Sequence, residues 1–163
     1  MTRPFRVLVL CTGNSARSIL GEAIFAKLGA GRIEAFSAGS KPKGAPHPGA
    51  LRLLAREGFD TSLFRSKSWN EYTGPEAPTI DLVITVCGNA AGEACPFFPG
   101  TPLRAHWGLP DPADATGSEA EIDAAFAETW RLLAMRVRAF LALDLSELDM
   151  AAVARIGEME GAT

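Results

Sequence analysis

Two side chains that could do chemistry together stand at the ends of one short segment. Cys11 and Arg17 bracket Cys11-Thr12-Gly13-Asn14-Ser15-Ala16-Arg17-Ser18, directly after the apolar run Val7-Leu8-Val9-Leu10. A loop between a strand and a helix can curl so that its backbone N–H groups point at one tetrahedral oxyanion. Thr12, Gly13, Asn14, Ser15, Ala16 and Arg17 would supply those amides. Arg17 adds a guanidinium able to grip two oxygens in a bidentate fork. Gly13 permits a tight turn, and Asn14 tolerates a left-handed backbone. Ser15 and Ser18 can donate further hydrogen bonds, and Ser18 is spaced to reach the Cys11 sulfur. These donors and the helix N-terminus are expected to hold the Cys11 thiol well below the ~8.5 of a free cysteine. A thiolate at the floor of an anion cradle is a nucleophile facing an electrophile. The alternative is a buried cysteine at a strand end followed by an ordinary Asn-Ser cap.

Several elements must position this loop. Residues 5–10 read as a buried strand and 19–28 as a helix with Leu20, Ala23, Ile24 and Leu28 on one face. Residues 33–37 read as a second strand, 48–57 as a helix, and 81–86 and 103–107 as two further strands. A short helix is expected near Trp69. Ser118 is a plausible N-cap for a long helix to about Leu143, with Ile122, Phe126, Trp130, Leu133, Val137, Phe140 and Leu141 as a core stripe. A weaker helix is expected from Ser146 to about Glu158. Strands alternating with helices predict an α/β three-layer sandwich, a four-stranded parallel sheet with helices on both faces. Reactive groups collect at the carboxyl ends of such strands. Cys11, Ser37, Cys87 and Asp111 all follow strands on this reading and could meet at one edge.

The composition narrows the classes. The chain has 163 residues, 47% hydrophobic and 21% charged, with a formal net charge of -3. That fits one domain with a sizeable core, residues 1–145, and a helical extension of the same domain at 146–163. The acidic balance disfavours non-specific nucleic-acid binding, and no run is long enough for a membrane span. Met1 to Arg6 run straight into a strand, so no signal peptide is expected and the cytoplasm is the expected compartment. Three cysteines, Cys11, Cys87 and Cys95, suit thiol chemistry better than a disulfide framework. His47 beside two prolines reads as a loop or cap residue, and His106-Trp107 reads as packing. No pair of histidines has metal-ligand spacing, so no bound metal or cofactor is expected.

The anion loop, the later Ser37-Ala38-Gly39-Ser40 and the late Asp111-Pro112 together resemble the low-molecular-weight tyrosine phosphatase fold. More narrowly, the chain is similar to the thiol-dependent arsenate reductases built on that fold. The discriminating stretch is Thr85-Val86-Cys87-Gly88-Asn89-Ala90-Ala91-Gly92-Glu93-Ala94-Cys95-Pro96, followed by His106 through Pro112. The resemblance implies arsenate as substrate, with phosphate or sulfate as mimics. Cys11 would attack arsenic, Cys87 would resolve the adduct, and Cys95 would take over the disulfide. Cys87 and Cys95 stand one residue farther apart than in the best-known thioredoxin-linked members. The external reductant therefore stays open between thioredoxin and glutathione with glutaredoxin, as does monomer against dimer. Asp111 would be the general acid, the alternative being a loop aspartate that starts a turn, as Asp114 could. Ala113 stands where the phosphatases carry an aromatic residue for stacking a phenyl ring. Some relatives hold a potassium ion with an Asn, a Glu, a Ser and an Asp. Asn14, Glu22 and Ser37 match three of these, and Lys67 falls at the fourth, so its ammonium could replace the cation. Otherwise Lys67 is a solvated loop lysine. A phosphatase on small phosphoesters that does not handle arsenate, and a non-catalytic thiol oxyanion or redox sensor, are the functional alternatives; a reductase could also keep residual phosphatase activity.

Overall fold

The computed structural model describes residues 3–87, 98 and 102–162. Strand β1 (Phe5–Cys11) is followed by α1 (Arg17–Gly29), β2 (Ile33–Gly39), α2 (Pro48–Arg56), β3 (Leu82–Thr85), β4 (Leu103–His106), α3 (Glu119–Leu141) and α4 (Met150–Ile156), with short 3-10 turns at Thr61–Leu63, Trp69–Tyr72 and Pro112–Asp114. The four strands form one parallel sheet in the order β2-β1-β3-β4. Strand β1 is central because its residues Val7 to Leu10 are apolar on both faces and are fully shielded.

Alternation along the strands divides the core. Val7, Val9, Leu82 and Ile84 pack with Ile24 and Phe25 of α1, Leu54 of α2, Phe126 and Phe140 of α3 and Val153 of α4. Leu8, Leu10 and Val83 face the other way, onto Tyr72, Ile80 and Phe98. The expected stripe on α3 is the one that packs, with Phe126, Leu133, Val137 and Phe140 buried and Ile122, Trp130 and Leu141 half-buried against them. Ser118 caps that helix by accepting from the Glu121 amide. No helix among the described residues is long and apolar enough to cross a membrane.

Several boundaries differ from the sequence expectation, and three of them follow from hydrogen bonds or strand pairing. Helix α1 begins at Arg17, two residues early, because the Leu20 amide already bonds the Ala16 carbonyl. Strand β2 runs on to Gly39, pairing Ser37 with Val9 and Gly39 with Cys11. Ser37 therefore lies within the strand and does not join the carboxyl-end edge. The last helix begins at Met150, because Asp144 and Asp149 bond local amides and hold the chain in turns until Asp149 caps α4.

The β2 end presses closely on the loop after β1. A Cβ on Gly39 would stand 2.4 Å from the Thr12 carbonyl oxygen and 2.9 Å from that of Cys11. Gly39→Ala should therefore destabilise the protein by about 1–3 kcal/mol, read as a lower urea midpoint with an unchanged slope. An unchanged midpoint would show that the loop has slack at this contact.

Candidate active site

The segment between β1 and α1 turns its amides inward because its carbonyls are held outside. The Thr12 carbonyl accepts from the Lys41 amide at 2.9 Å, that of Gly13 from Lys43 at 2.9 Å, and that of Ser15 from His47 at 2.8 Å. Ser66 adds its hydroxyl to the Gly13 carbonyl at 3.1 Å. Each peptide plane fixed in this way leaves its N–H on the inner side. Helix α1 opens without a side-chain cap and without an acidic residue in its first turn. Its terminal amides are thus left for an anion.

Cys11 closes β1 and is 4% exposed. Its sulfur accepts from the Asn14 amide at 3.2 Å and lies 2.9 Å from the Ser18 hydroxyl. Asn14 holds a left-handed backbone with φ 44° and is fully buried. Its side chain offsets that strain: Oδ1 accepts from the Lys67 amide at 2.9 Å, and Nδ2 donates to Ser18 Oγ at 2.7 Å. Ser18 accepts from Asn14, which fixes its hydroxyl oxygen beside the sulfur, where its O–H can donate to a thiolate. Yet the expectation of a depressed thiol is overturned. Burial pushes the Cys11 thiol up, as does the nearby Cys87, and the Ser18 and Asn14 hydrogen bonds oppose this without outweighing it.

A pocket of 170 Å³ opens over this sulfur, lined by Cys11, Thr12, Gly13, Ser15, Ala16, Arg17 and Asp111. Asn14 and Ser18 are not on its wall; both are buried behind the sulfur and act through it. Arg17 binds the Leu109 carbonyl at 2.8 Å through Nη1 and stands 3.3 Å from the Asp111 carboxylate through Nη2. Asp111 also caps the following 3-10 turn by accepting from the Ala113 amide at 3.0 Å. It has both the turn role and the pocket position, whereas Asp114 does not line the pocket.

Cys87 is buried just beyond β3, with its sulfur 3.5 Å from the Thr12 hydroxyl. Both Cys11 and Cys87 are thiols in this structure. Cys95 lies outside the described residues. Lys67 is 8% exposed and is not a solvated lysine. Its ammonium stands 3.6 Å from Glu22, 3.4 Å from Ser37 Oγ and 3.2 Å from the Arg65 carbonyl, and Ser37 also donates to Glu22. Burial pushes Lys67 down and Glu22 up, each opposed by the other's charge.

Sequence reasoning missed Lys41 and Lys43, which complete the pocket wall, the Lys43 stem lying against Gly13. The only local signal was a basic pair in the Pro/Gly loop after Ser40. His47 caps α2, its Nδ1 accepting from the Gly49 amide at 2.9 Å. Trp107 packs as expected, but His106 is exposed and bonds Thr85 Oγ1 at 2.8 Å.

Burial pushes the Cys11 thiol up in the free protein. Its alkylation by iodoacetamide, followed by peptide mass spectrometry, should keep climbing as the pH rises above neutral. A plateau near neutral pH would overturn this. Ser18→Ala removes a donor to the thiolate and should slow alkylation about tenfold at fixed pH.

The chain matches the family "Low molecular weight phosphotyrosine protein phosphatase" over residues 6–153. An arsenate reductase of Halalkalibacterium halodurans is 34% identical over 134 residues, covering 82% of this chain and 93% of that protein. One of Bacillus subtilis is 33% identical over 134 residues with the same coverage. A solved structure described as an arsenate reductase in the phosphate binding state has a TM-score of 0.67 and 27% identity, covering 85% of this chain and 97% of that one. The arsenate reductase from Archaeoglobus fulgidus has a TM-score of 0.60 and 26% identity, covering 81% and 98%. The chain belongs to the low molecular weight phosphotyrosine protein phosphatase family, together with these arsenate reductases.

Proposed function

We propose that this chain is an arsenate reductase that runs a thiol relay from Cys11 through Cys87 to Cys95. One observation carries the reading: a second buried thiol, Cys87, is held at 3.5 Å by the hydroxyl of Thr12, the residue next to the nucleophile. Hydrolysis of a phosphoester has no use for that thiol. Among the described residues no aromatic side chain lines the pocket, so these give an aryl phosphate nothing to stack on. A pure sensor would not need a carboxyl group on the pocket wall, where Asp111 stands.

The steps balance as follows. Arsenate enters as the dianion that carries a single proton. The Cys11 thiol passes its own proton to an arsenate oxygen, giving a thiolate and the doubly protonated arsenate monoanion. A buried thiol that ionises only with its substrate fits the raised value of the free protein. The oxyanion takes over the Arg17 fork from Asp111 and sits on the inward amides. Asp111, released by Arg17, takes a proton from water. Cys11 Sγ attacks arsenic, an As–S bond forms, and Asp111 passes that proton to the departing hydroxyl, which leaves as water. Arsenic is still at +5. The Cys87 thiol gives its proton to water, and its sulfur then attacks Cys11 Sγ. The S–As bond breaks with its electron pair going to arsenic, arsenite leaves at +3 after taking two protons from water, and Cys11–Cys87 is left as a disulfide. Cys95 attacks Cys87 Sγ and frees the Cys11 thiolate. An external thiol system, thioredoxin or glutathione with glutaredoxin, then supplies two electrons to the Cys87–Cys95 disulfide. The cytoplasm provides both systems.

The test is arsenate-dependent turnover with each donor. Cys11→Ser should abolish it. Cys87→Ser should lose reduction while still binding arsenate, and full activity there would sink the relay. Cys95→Ser should lose turnover with thioredoxin; turnover kept only with glutathione and glutaredoxin would assign the donor.

Lys67 further supports the loop by standing where a cation would otherwise neutralise Glu22. The melting temperature should accordingly be the same in KCl and NaCl at equal ionic strength. A potassium-specific rise would count against the internal ammonium.

A further inference from the structure

Arg136 of α3 is fully shielded from solvent, and burial pushes it down, with no carboxylate among the described residues acting on it. Nη1 donates to the Trp107 carbonyl at 2.6 Å and to the Gly108 carbonyl at 3.1 Å, and Nη2 donates to the Glu160 carbonyl at 3.4 Å. Nε has no hydrogen-bond partner among the described residues. A buried cation without a counter-charge is a poor device for stability, because its desolvation is only partly offset by neutral carbonyls. What it supplies is direction. Trp107 and Gly108 begin the stretch that ends at Asp111, and residues 107–111 contain no helix or strand. Arg17 holds the next carbonyl, that of Leu109, from the pocket side. Two guanidiniums on two helices thus grip three consecutive carbonyls of the acid-bearing segment.

The chain after α3 closes over this grip. The Trp107 indole N–H donates to the Val153 carbonyl at 2.9 Å. Gly157 lies so close to β4 that a Cβ would stand 2.2 Å from the His106 carbonyl oxygen. Glu160 supplies the third carbonyl to Arg136.

We infer that Arg136, clamped by the C-terminal strap of residues 144–162, is the positioning residue that sets the Asp111 carboxyl over the anion loop. This rests on the acid role proposed for Asp111. Misplacing an acid by about an ångström costs on the order of a hundredfold in rate. Arg136→Met should therefore lower kcat for arsenate about 10- to 100-fold, with the Cys11 alkylation rate of the free protein unchanged. Arg136→Lys should recover part of the loss, because an ammonium can still reach one or two of the carbonyls. Gly157→Ala wedges the strap from β4 with Arg136 intact and should lower kcat in the same way, so the test survives if Arg136→Met does not fold. In the pair Asp111→Asn/Arg136→Met the rate should be no lower than in Asp111→Asn alone, because Arg136 acts only through the acid. Multiplying losses would overturn the inference. So would a slow Asp111→Asn enzyme beside Arg136→Met and Gly157→Ala enzymes within about twofold of wild type. A fully active Asp111→Asn enzyme would instead sink the acid role itself, and this inference with it.

Discussion

A run of backbone amides can converge on one anion only if the carbonyls of the same peptides are hydrogen-bonded on the other side. That constraint governs this molecule. The amides of Lys41, Lys43 and His47 take the carbonyls of Thr12, Gly13 and Ser15 in turn, so the connection from β2 to α2 is a backbone template for the anion loop. Because a template must lie close, β2 ends on Gly39, where a side chain would strike the Thr12 carbonyl. Because the loop must bend sharply, Asn14 adopts the left-handed region and is held there by the Lys67 amide and Ser18. A left-handed non-glycine residue costs about 1–2 kcal/mol. The two side-chain hydrogen bonds of Asn14 are of the size needed to offset it.

Burial of the loop sets its electrostatics. Desolvation pushes the Cys11 thiol up, even though the Asn14 amide donates to the sulfur and the Ser18 hydroxyl stands beside it. Donors oriented before the reaction need no reorganisation when charge arrives, and their worth rises as water is excluded. Arg17, Lys41 and Lys43 surround the entrance, while Asp111 is the one carboxylate on the wall among the described residues. A pocket so lined suits the dianion of the proposed relay, which brings its own charge and accepts the thiol proton.

How much of this was legible in the sequence depends on the distance over which each feature is made. Strand β1, the Cys11–Arg17 spacing, the reach of Ser18 and the stripe on α3 are local patterns, and local periodicity reports them. The Ser18–Cys11 contact spans seven residues. The contacts of Lys43 and Lys67 with the loop span some 30 to 50 residues, so local sequence does not report them; the resemblance alone singles out Lys67, and the burial of its ammonium is not legible. The direction of the Cys11 shift escapes sequence reading for the same reason. The hydrogen-bond donors are sequence neighbours and visible, whereas the desolvation comes from the whole fold. The late start of α4 has a different cause: Asp144 and Asp149 compete for amides that a smooth apolar pattern would assign to a helix.

In the relay proposed above, the same sheet geometry turns a loop that could serve hydrolysis to reduction. In a parallel sheet the carboxyl ends of neighbouring strands stand level, and here Leu10 of β1 pairs with Thr85 of β3. Residues two places beyond each partner, Thr12 and Cys87, must then come together, as their 3.5 Å contact records. An intermediate on Cys11 is therefore formed beside a thiol that the register has already delivered. Attack by water at arsenic only returns the oxyanion, whereas attack by that thiol at sulfur moves an electron pair onto arsenic. The outcome follows from which nucleophile is already in place, and the pairing of β1 with β3 puts the sulfur of Cys87 there.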